Sequence, residues 1–313
     1  MSEENMTSVD STTPNTVGEG ISAEGAVPNA VGEGIAEKNE KKQGQGFSLI
    51  PEQYKFVTSS TLKWIAIITM FIDHVTAVLF EQAPWFDPDN VGHILLDALL
   101  RGIGRIAFPI FIFMMVEGLF YTHSRWKYLL RMGIFAMISD IPFDMAAFLT
   151  NQQIINEHKI ENWATTSVFA TLFLGLLAMT LMELIREKLK MESLPKAVRV
   201  ILKLLICLPI ALGTMVIAEI LGTDYGAGGV AGILVCYVAT LLLRKWYTTR
   251  FTATVFSLTV VCNVFEIAAI FAFPVFLFYN GKKGKNINKW FFYFFYPCHL
   301  LILAIIRILI YGA

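Results

Sequence analysis

Apolar and polar positions divide this chain into two regimes. Residues 1–57 are dominated by Glu, Gly, Ser, Thr, Asn and Pro, with no aromatic residue before Phe47. From residue 58 onward, long apolar runs alternate with short polar connections. The runs predict helices over roughly 61–81, 99–121, 128–149, 164–185, 199–221, 227–243, 252–265, 267–279 and 289–311. Most approach the ~20 residues with which an α-helix spans a bilayer. The pattern predicts an all-α polytopic transmembrane helix bundle of about nine segments, or eight if 252–279 is one long tilted helix. In the nine-segment arrangement 252–279 is a hairpin interrupted at Glu266. The chain thus divides into a leader, 1–57, and a membrane domain, 58–313.

The leader contains too little apolar surface to offset its chain entropy and is expected to be disordered. Within it, Pro14-Asn15-Thr16-Val17-Gly18-Glu19-Gly20-Ile21 recurs as Pro28-Asn29-Ala30-Val31-Gly32-Glu33-Gly34-Ile35, a repeat of period 14. Two copies are too few for a solenoid. A basic start, apolar core and cleavage site are missing from the leader, so the first apolar helix is expected to act as the targeting signal.

Composition sharpens this picture. Of 313 residues, 55% are apolar and 16% charged, against roughly 25% charged in an ordinary soluble domain. Net charge is zero, without the basic excess of a nucleic-acid binder. Cys207, Cys236, Cys262 and Cys298 lie far apart inside apolar runs, which reads as packing and gives neither disulfide nor metal-ligand spacing. Lys and Arg cluster in alternate connections, at Arg125, Lys127 and Arg131, at 186–203, at Arg244, Lys245 and Arg250, and at Lys282, Lys283, Lys285 and Lys289. Cytoplasmic loops carry such an excess, so the amino terminus is expected in the cytoplasm. Both ends of 251–282 are basic, which favours the hairpin and an external carboxyl terminus.

Ionisable residues at membrane depth are costly and mark function by default. The first predicted helix carries Asp73 and His74, the second Arg101, Arg105 and Glu117, and the third Asp140 and Asp144. Residues four apart share a helix face, as Arg101 and Arg105 do, and as Asp140 and Asp144 do. Helix direction puts His74, Arg105 and the third-helix carboxylates at one depth on the outer half, and Glu117 near the inner surface. Pro109 and Pro142 interrupt helical hydrogen bonding, and Gly102 and Gly104 permit close approach. Two readings stand side by side. One is an ion cluster in which Arg105 pairs with Asp140 or Asp144 and holds three helices in register. The other is a reactive site in which His74, a natural base near neutral pH, is the central group.

Asp224-Tyr225-Gly226 precedes a glycine-rich helix start, and Tyr296-Pro297-Cys298-His299 lies in the last segment. Tyr279-Asn280-Gly281-Lys282-Lys283-Gly284-Lys285 is a cationic glycine loop. Such a loop holds phosphate through backbone N–H groups and lysines, or simply anchors the chain on the basic side.

In order along residues 60–305, the chain resembles the TraX family of bacterial membrane proteins, named for an F-pilin acetylation protein. The resemblance rests on Leu62-Lys63-Trp64-Ile65-Ala66 with Ile72-Asp73-His74, on Gly104-Arg105-Ile106-Ala107-Phe108-Pro109, and on Glu117-Gly118. It continues through Ser139-Asp140-Ile141-Pro142-Phe143-Asp144, Asp224-Tyr225-Gly226, Tyr279-Asn280-Gly281 and Tyr296-Pro297-Cys298-His299. Asp140 stands where the family usually has Glu, and Ser167 where it usually has Asn. The resemblance implies a multi-pass acyltransferase of the bacterial cytoplasmic membrane that takes an acetyl group from cytoplasmic acetyl-CoA. The acceptor would be an amine or hydroxyl on a pilin-like peptide or a small molecule, near the outer half of the membrane.

On that basis His74 is the expected general base, oriented by Asp73, Asp140 or Asp144, with Arg105 facing the developing oxyanion. Arg101, Glu117, Asp224, Tyr225 and His299 are candidates for binding the acceptor. Asn280, Lys282, Lys283, Lys285, Arg244 and Arg250 are candidates for the CoA phosphates. The alternatives are a proton-coupled transporter or flippase built on the same His/Asp/Arg set, and a scaffold whose leader recruits a partner.

Overall fold

The computed structural model describes residues 50–150, 166–188, 195–285 and 288–311. The repeat in the leader and residues 151–165 of the connection after the third predicted helix lie outside the described residues. Helix α1 spans Ser59–Val75 and continues as a π-helical turn, Thr76–Phe80. Then follow α2 (Val91–Gly104), α3 (Ala107–Tyr121), α4 (Arg125–Thr150), α5 (Val168–Lys188) and α6 (Lys196–Ile220). Helices α7 (Gly226–Leu242) and α8 (Tyr247–Val261) lead to a 3-10 helix over Val264–Ala272, the short α9 (Phe273–Leu277) and α10 (Lys289–Tyr311). Among the described residues no strand occurs. Five helical runs are long and apolar enough to cross a bilayer: Ser59–Phe80, Val91–Tyr121, Val168–Lys188, Ile201–Ile220 and Trp290–Tyr311. Gly226–Leu242 and Val264–Leu277 are shorter apolar helices. The architecture is the helical membrane bundle that the hydropathy pattern predicts.

Helix α3 is the centre of the bundle. It is apolar on every side, the signature of a buried helix, and Ile110, Ile112, Phe113 and Val116 are fully enclosed. It packs on α1, α5, α7 and α8. Helix α10 lies along α4, and α7 packs against α5, α6 and α8. By contrast, α6 leaves Ile201, Leu205, Leu208, Leu212, Val216 and Ile220 exposed, the surface expected of a helix facing acyl chains.

Two segments differ from the expected spans in detail. The second apolar run starts earlier, at Val91, because the Asn90 side chain caps it by accepting from the Gly92 N–H at 2.9 Å. It then breaks at Arg105–Ile106. Pro109 has no N–H to offer the Arg105 carbonyl four residues back, so the helix cannot continue unbroken there.

The 252–279 stretch is the hairpin. Its turn lies at Cys262–Asn263 and not at Glu266, because Asn263 takes an extended backbone and its side chain caps the returning helix through the Phe265 N–H at 3.0 Å. Phe251 and Phe276, from opposite halves, stack with centroids 4.1 Å apart. The outgoing helix α8 has 15 residues, or about 22 Å of rise, which falls short of the ~30 Å hydrocarbon core. The hairpin therefore turns back short of a full span and returns to the end from which it came.

There it clamps the start of α1. The Val57 N–H donates to the Phe278 carbonyl at 3.0 Å, the Asn280 N–H to the Val57 carbonyl at 2.9 Å, and the Ser59 N–H to the Lys282 carbonyl at 2.9 Å. The Ser60 hydroxyl donates to the Lys285 carbonyl at 2.6 Å. Val57 is buried, so the folded body begins within the last residues of the leader.

Bundle packing without a hydrophobic drive between helices relies on close approach at small residues. A Cβ on Gly175 would lie 2.4 Å from the Ile233 side chain, whereas one on Gly213 meets nothing within 4 Å. Gly175→Ala is expected to cost about 1–3 kcal/mol by overpacking. Gly213→Ala should be neutral or stabilising by up to about 1 kcal/mol through helix propensity. Thermal unfolding of the two variants in the same detergent separates these outcomes.

Candidate functional site

The site forms where several interrupted helices meet. Helix α1 loses its regular ladder at the π-turn immediately after Asp73 and His74, a feature frequent at functional positions. The α2–α3 break places Arg105 opposite them. The Asp224–Tyr225 connection opens α7, and the hairpin turn brings up Glu266. Between these elements is a cavity of about 210 Å³ lined by Asp73, His74, Arg101, Arg105, Asp224, Tyr225 and Tyr296, with Phe108, Phe111 and Phe143 among its apolar walls.

Both arginines of the cavity are paired. Arg101 Nη1 lies 2.8 Å from Asp73 Oδ1, and its Nε lies 3.3 Å from Glu81. Arg105 Nη1 donates to Glu266 Oε1 at 3.3 Å and to the Tyr225 hydroxyl at 3.4 Å. Tyr225 is held by stacking on Phe108, with centroids 3.6 Å apart. Gly104 is required where it stands, since a Cβ there would come within 2.3 Å of Asp73 Cβ. The His74 ring meets His299, with Nδ1 2.6 Å from Nε2.

The structure thus gathers Asp73, His74, Arg101, Arg105, Asp224, Tyr225 and His299 from distant parts of the chain. Other candidates lie elsewhere. Asp140 accepts from the Ser167 N–H at 3.0 Å and so caps the start of α5. Asp144 does not line the cavity. The carboxylate partner of Arg105 is Glu266 and not Asp140, because the hairpin reaches Arg105. Asp73 faces Arg101, because successive helical residues point about 100° apart and His74 is turned toward α10.

Glu117 belongs to a separate pair with Arg250, a fully buried arginine that also lies over the Phe113 ring at 4.5 Å. Arg250 Nη1 donates to the Arg244 carbonyl at 2.9 Å, and the Arg244 guanidinium sits over Phe120 and Tyr121. These three groups serve the packing at the α1-start end of the bundle. Lys282, Lys283 and Lys285 are exposed there. The loop carbonyls are turned onto α1, and the Lys282 N–H donates to the Asn280 side chain at 2.9 Å. Asn280 therefore shapes the loop. Among the described residues no group of His, Cys, Asp and Glu has the arrangement of a metal site.

Glu266 is the site residue that sequence reasoning treated only as an interruption. Its signal was present, since it is the lone charged residue between Phe251 and Gly281, and such a residue needs a partner.

A family model described as TraX protein matches residues 58–307. The chain belongs to the TraX family. The match takes in every element around the cavity. A relative described as a probable fimbrial assembly protein FimC, serogroup H1, from Dichelobacter nodosus is 29% identical over 265 residues, covering 78% of this chain and 93% of its own. No solved structure matches this TraX-family chain.

The Glu266 side chain is 3% exposed and that of Arg105 25%. Removing one partner of a buried ion pair strands the other. Glu266→Ala is therefore expected to lower stability on the order of 3 kcal/mol, with Glu266→Gln intermediate because its amide oxygen still accepts from Arg105. Thermal unfolding of the purified variants measures the order.

Proposed function

We propose that this TraX-family protein is an integral-membrane acyltransferase that moves an acetyl group from cytoplasmic acetyl-CoA to an amine or hydroxyl acceptor. The observation that carries this reading is the convergence of His74 and Arg105 on one small cavity inside an apolar bundle. A base and a fixed cation in a water-poor site are what acyl transfer from a thioester requires. The volume, below the ~300–1,000 Å³ of sites for drug-sized ligands, favours a short acyl group. The fimbrial assembly described for the relative favours a pilin-like peptide as acceptor.

In this reading His74 takes the acceptor's proton as it attacks the thioester carbonyl. Arg105 stabilises the oxyanion, its position held by Glu266 and Tyr225. Asp224 and Tyr225 border the acceptor. The exposed Lys282, Lys283 and Lys285 meet the CoA phosphates at the α1-start end, and the pantetheine arm carries the thioester inward. In this reading that end faces the cytoplasm, with the amino terminus on the same side, as the excess of Lys and Arg in its connections favours.

Incubation of the purified protein with labelled acetyl-CoA and a host extract tests the assignment. Label transfer is expected, and His74→Ala should reduce its rate about 10²–10⁴-fold while the protein stays folded. Replacing Lys282, Lys283 and Lys285 together by Gln should raise KM for acetyl-CoA and leave kcat nearly unchanged. Near-normal transfer by folded His74→Ala removes His74 from the base role. Proton-coupled uptake into vesicles without CoA consumption replaces the acyltransferase with a transporter.

A further inference from the structure

The histidine behind His74 has a defined hydrogen-bond polarity. His299 Nδ1 lies 2.7 Å from the Phe295 carbonyl oxygen one turn back on α10. A carbonyl only accepts, so this nitrogen carries a proton. The Nε2 of neutral His299 is then a lone-pair acceptor, and it faces His74 Nδ1 at 2.6 Å. That contact requires the proton to be on His74 Nδ1, which leaves the His74 lone pair on Nε2.

The ring of His299 is held in this orientation. It is 4% exposed and stacks on the Phe295 ring at 4.8 Å and 15°, while the His74 ring meets its edge, with centroids 4.9 Å apart and planes 23° from parallel. Phe71 closes a third side at 6.1 Å. Rotating the imidazole by half a turn would present a C–H to the Phe295 carbonyl and another to His74, losing both hydrogen bonds. Two of the three carboxylates considered as orienting groups are engaged elsewhere, Asp73 with Arg101 and Asp140 with the start of α5, and Asp144 does not line the cavity.

We propose that His299 is a positioning residue that holds His74 in the Nδ1–H tautomer and so makes His74 Nε2 the base of the cavity. The proposal rests on the acyl-transfer reading of the same site. During transfer the acceptor's lone pair forms the new bond to the acyl carbon, and its N–H or O–H proton goes to His74 Nε2. The C–S bond breaks with its electron pair leaving on the CoA sulfur, and His74 then returns the proton to that thiolate. While His74 is an imidazolium, its Nδ1–H bond to neutral His299 becomes charge-assisted and stronger. His299 thereby fills the place that a carboxylate occupies in a triad, with a neutral acceptor that suits an apolar bundle.

Nitrogen NMR of the full-length protein carrying isotope-labelled histidine reads the tautomer directly. Signals are assigned through the His74→Ala and His299→Phe variants. The expected result for the unmodified protein is a protonated Nδ1 on both rings and an unprotonated Nε2 on His74. In His299→Phe, which keeps an aromatic ring and removes the acceptor, His74 should move toward the Nε2–H form. The same variant should lose about tenfold or more in rate at saturating acetyl-CoA, with KM for acetyl-CoA within about twofold of the parent. His299→Gln, which restores an acceptor oxygen, should recover part of both. Finding His74 as the Nε2–H tautomer in the unmodified protein overturns the proposal, as does an unchanged His74 signal in His299→Phe. If His299→Phe fails to fold, the unmodified spectrum and His299→Gln decide. The expected tautomers in a protein that transfers no acetyl group would uphold the His74–His299 pairing and overturn the acyl-transfer reading alone.

Discussion

A guanidinium stays charged at any physiological pH, so Arg105 imposes a constraint on everything around it. Inside an apolar bundle its charge has to be met by other groups, and the surrounding architecture follows from that need. The α2–α3 break lets the side chain enter the interior at the point where Pro109 ends the regular ladder. A hairpin too short to cross the bilayer delivers Glu266, and the opening of α7 delivers Tyr225. These groups come from widely separated parts of the chain, and together they hold the wall of the cavity opposite His74.

The bundle contains other buried charge, and the contrast is informative. Glu117 and Arg250 form a pair enclosed by Phe113 and Tyr247 rings. Glu183 is 1% exposed, accepts from the Tyr237 hydroxyl at 2.6 Å and meets Arg186 at 3.1 Å. Both sets are paired within the protein and packed close. The groups around Arg105 are also paired, but they border open volume together with His74. Buried charge alone therefore does not mark a site in this protein; buried charge beside a cavity and a histidine does.

Much of the fold was legible because hydropathy runs longer than a few turns leave few alternatives in a bilayer, where backbone groups must be satisfied within the segment. The bundle, the approximate spans and the hairpin option followed from that. The break at Arg105–Ile106 was half visible in Pro109 and Gly104. The hairpin turn lies three to four residues before Glu266 because the capping chemistry of Asn263, and not the charge of Glu266, sets it.

The site was legible as a set of residues and illegible as a set of pairs. Asp73, His74, Arg101 and Arg105 announced themselves by the cost of placing them among apolar neighbours. The sequence by itself determined that these groups lie inside a helical membrane bundle, because helix period and hydropathy are local properties. Only the tertiary structure decided that Arg105 meets Glu266 and not Asp140, that Asp140 caps α5, and that His74 is turned toward His299. Those choices depend on how helices rotate and interdigitate over separations of 27 to 225 residues. No local pattern encodes that geometry, since many pairings satisfy the same charges and only one satisfies the packing as well.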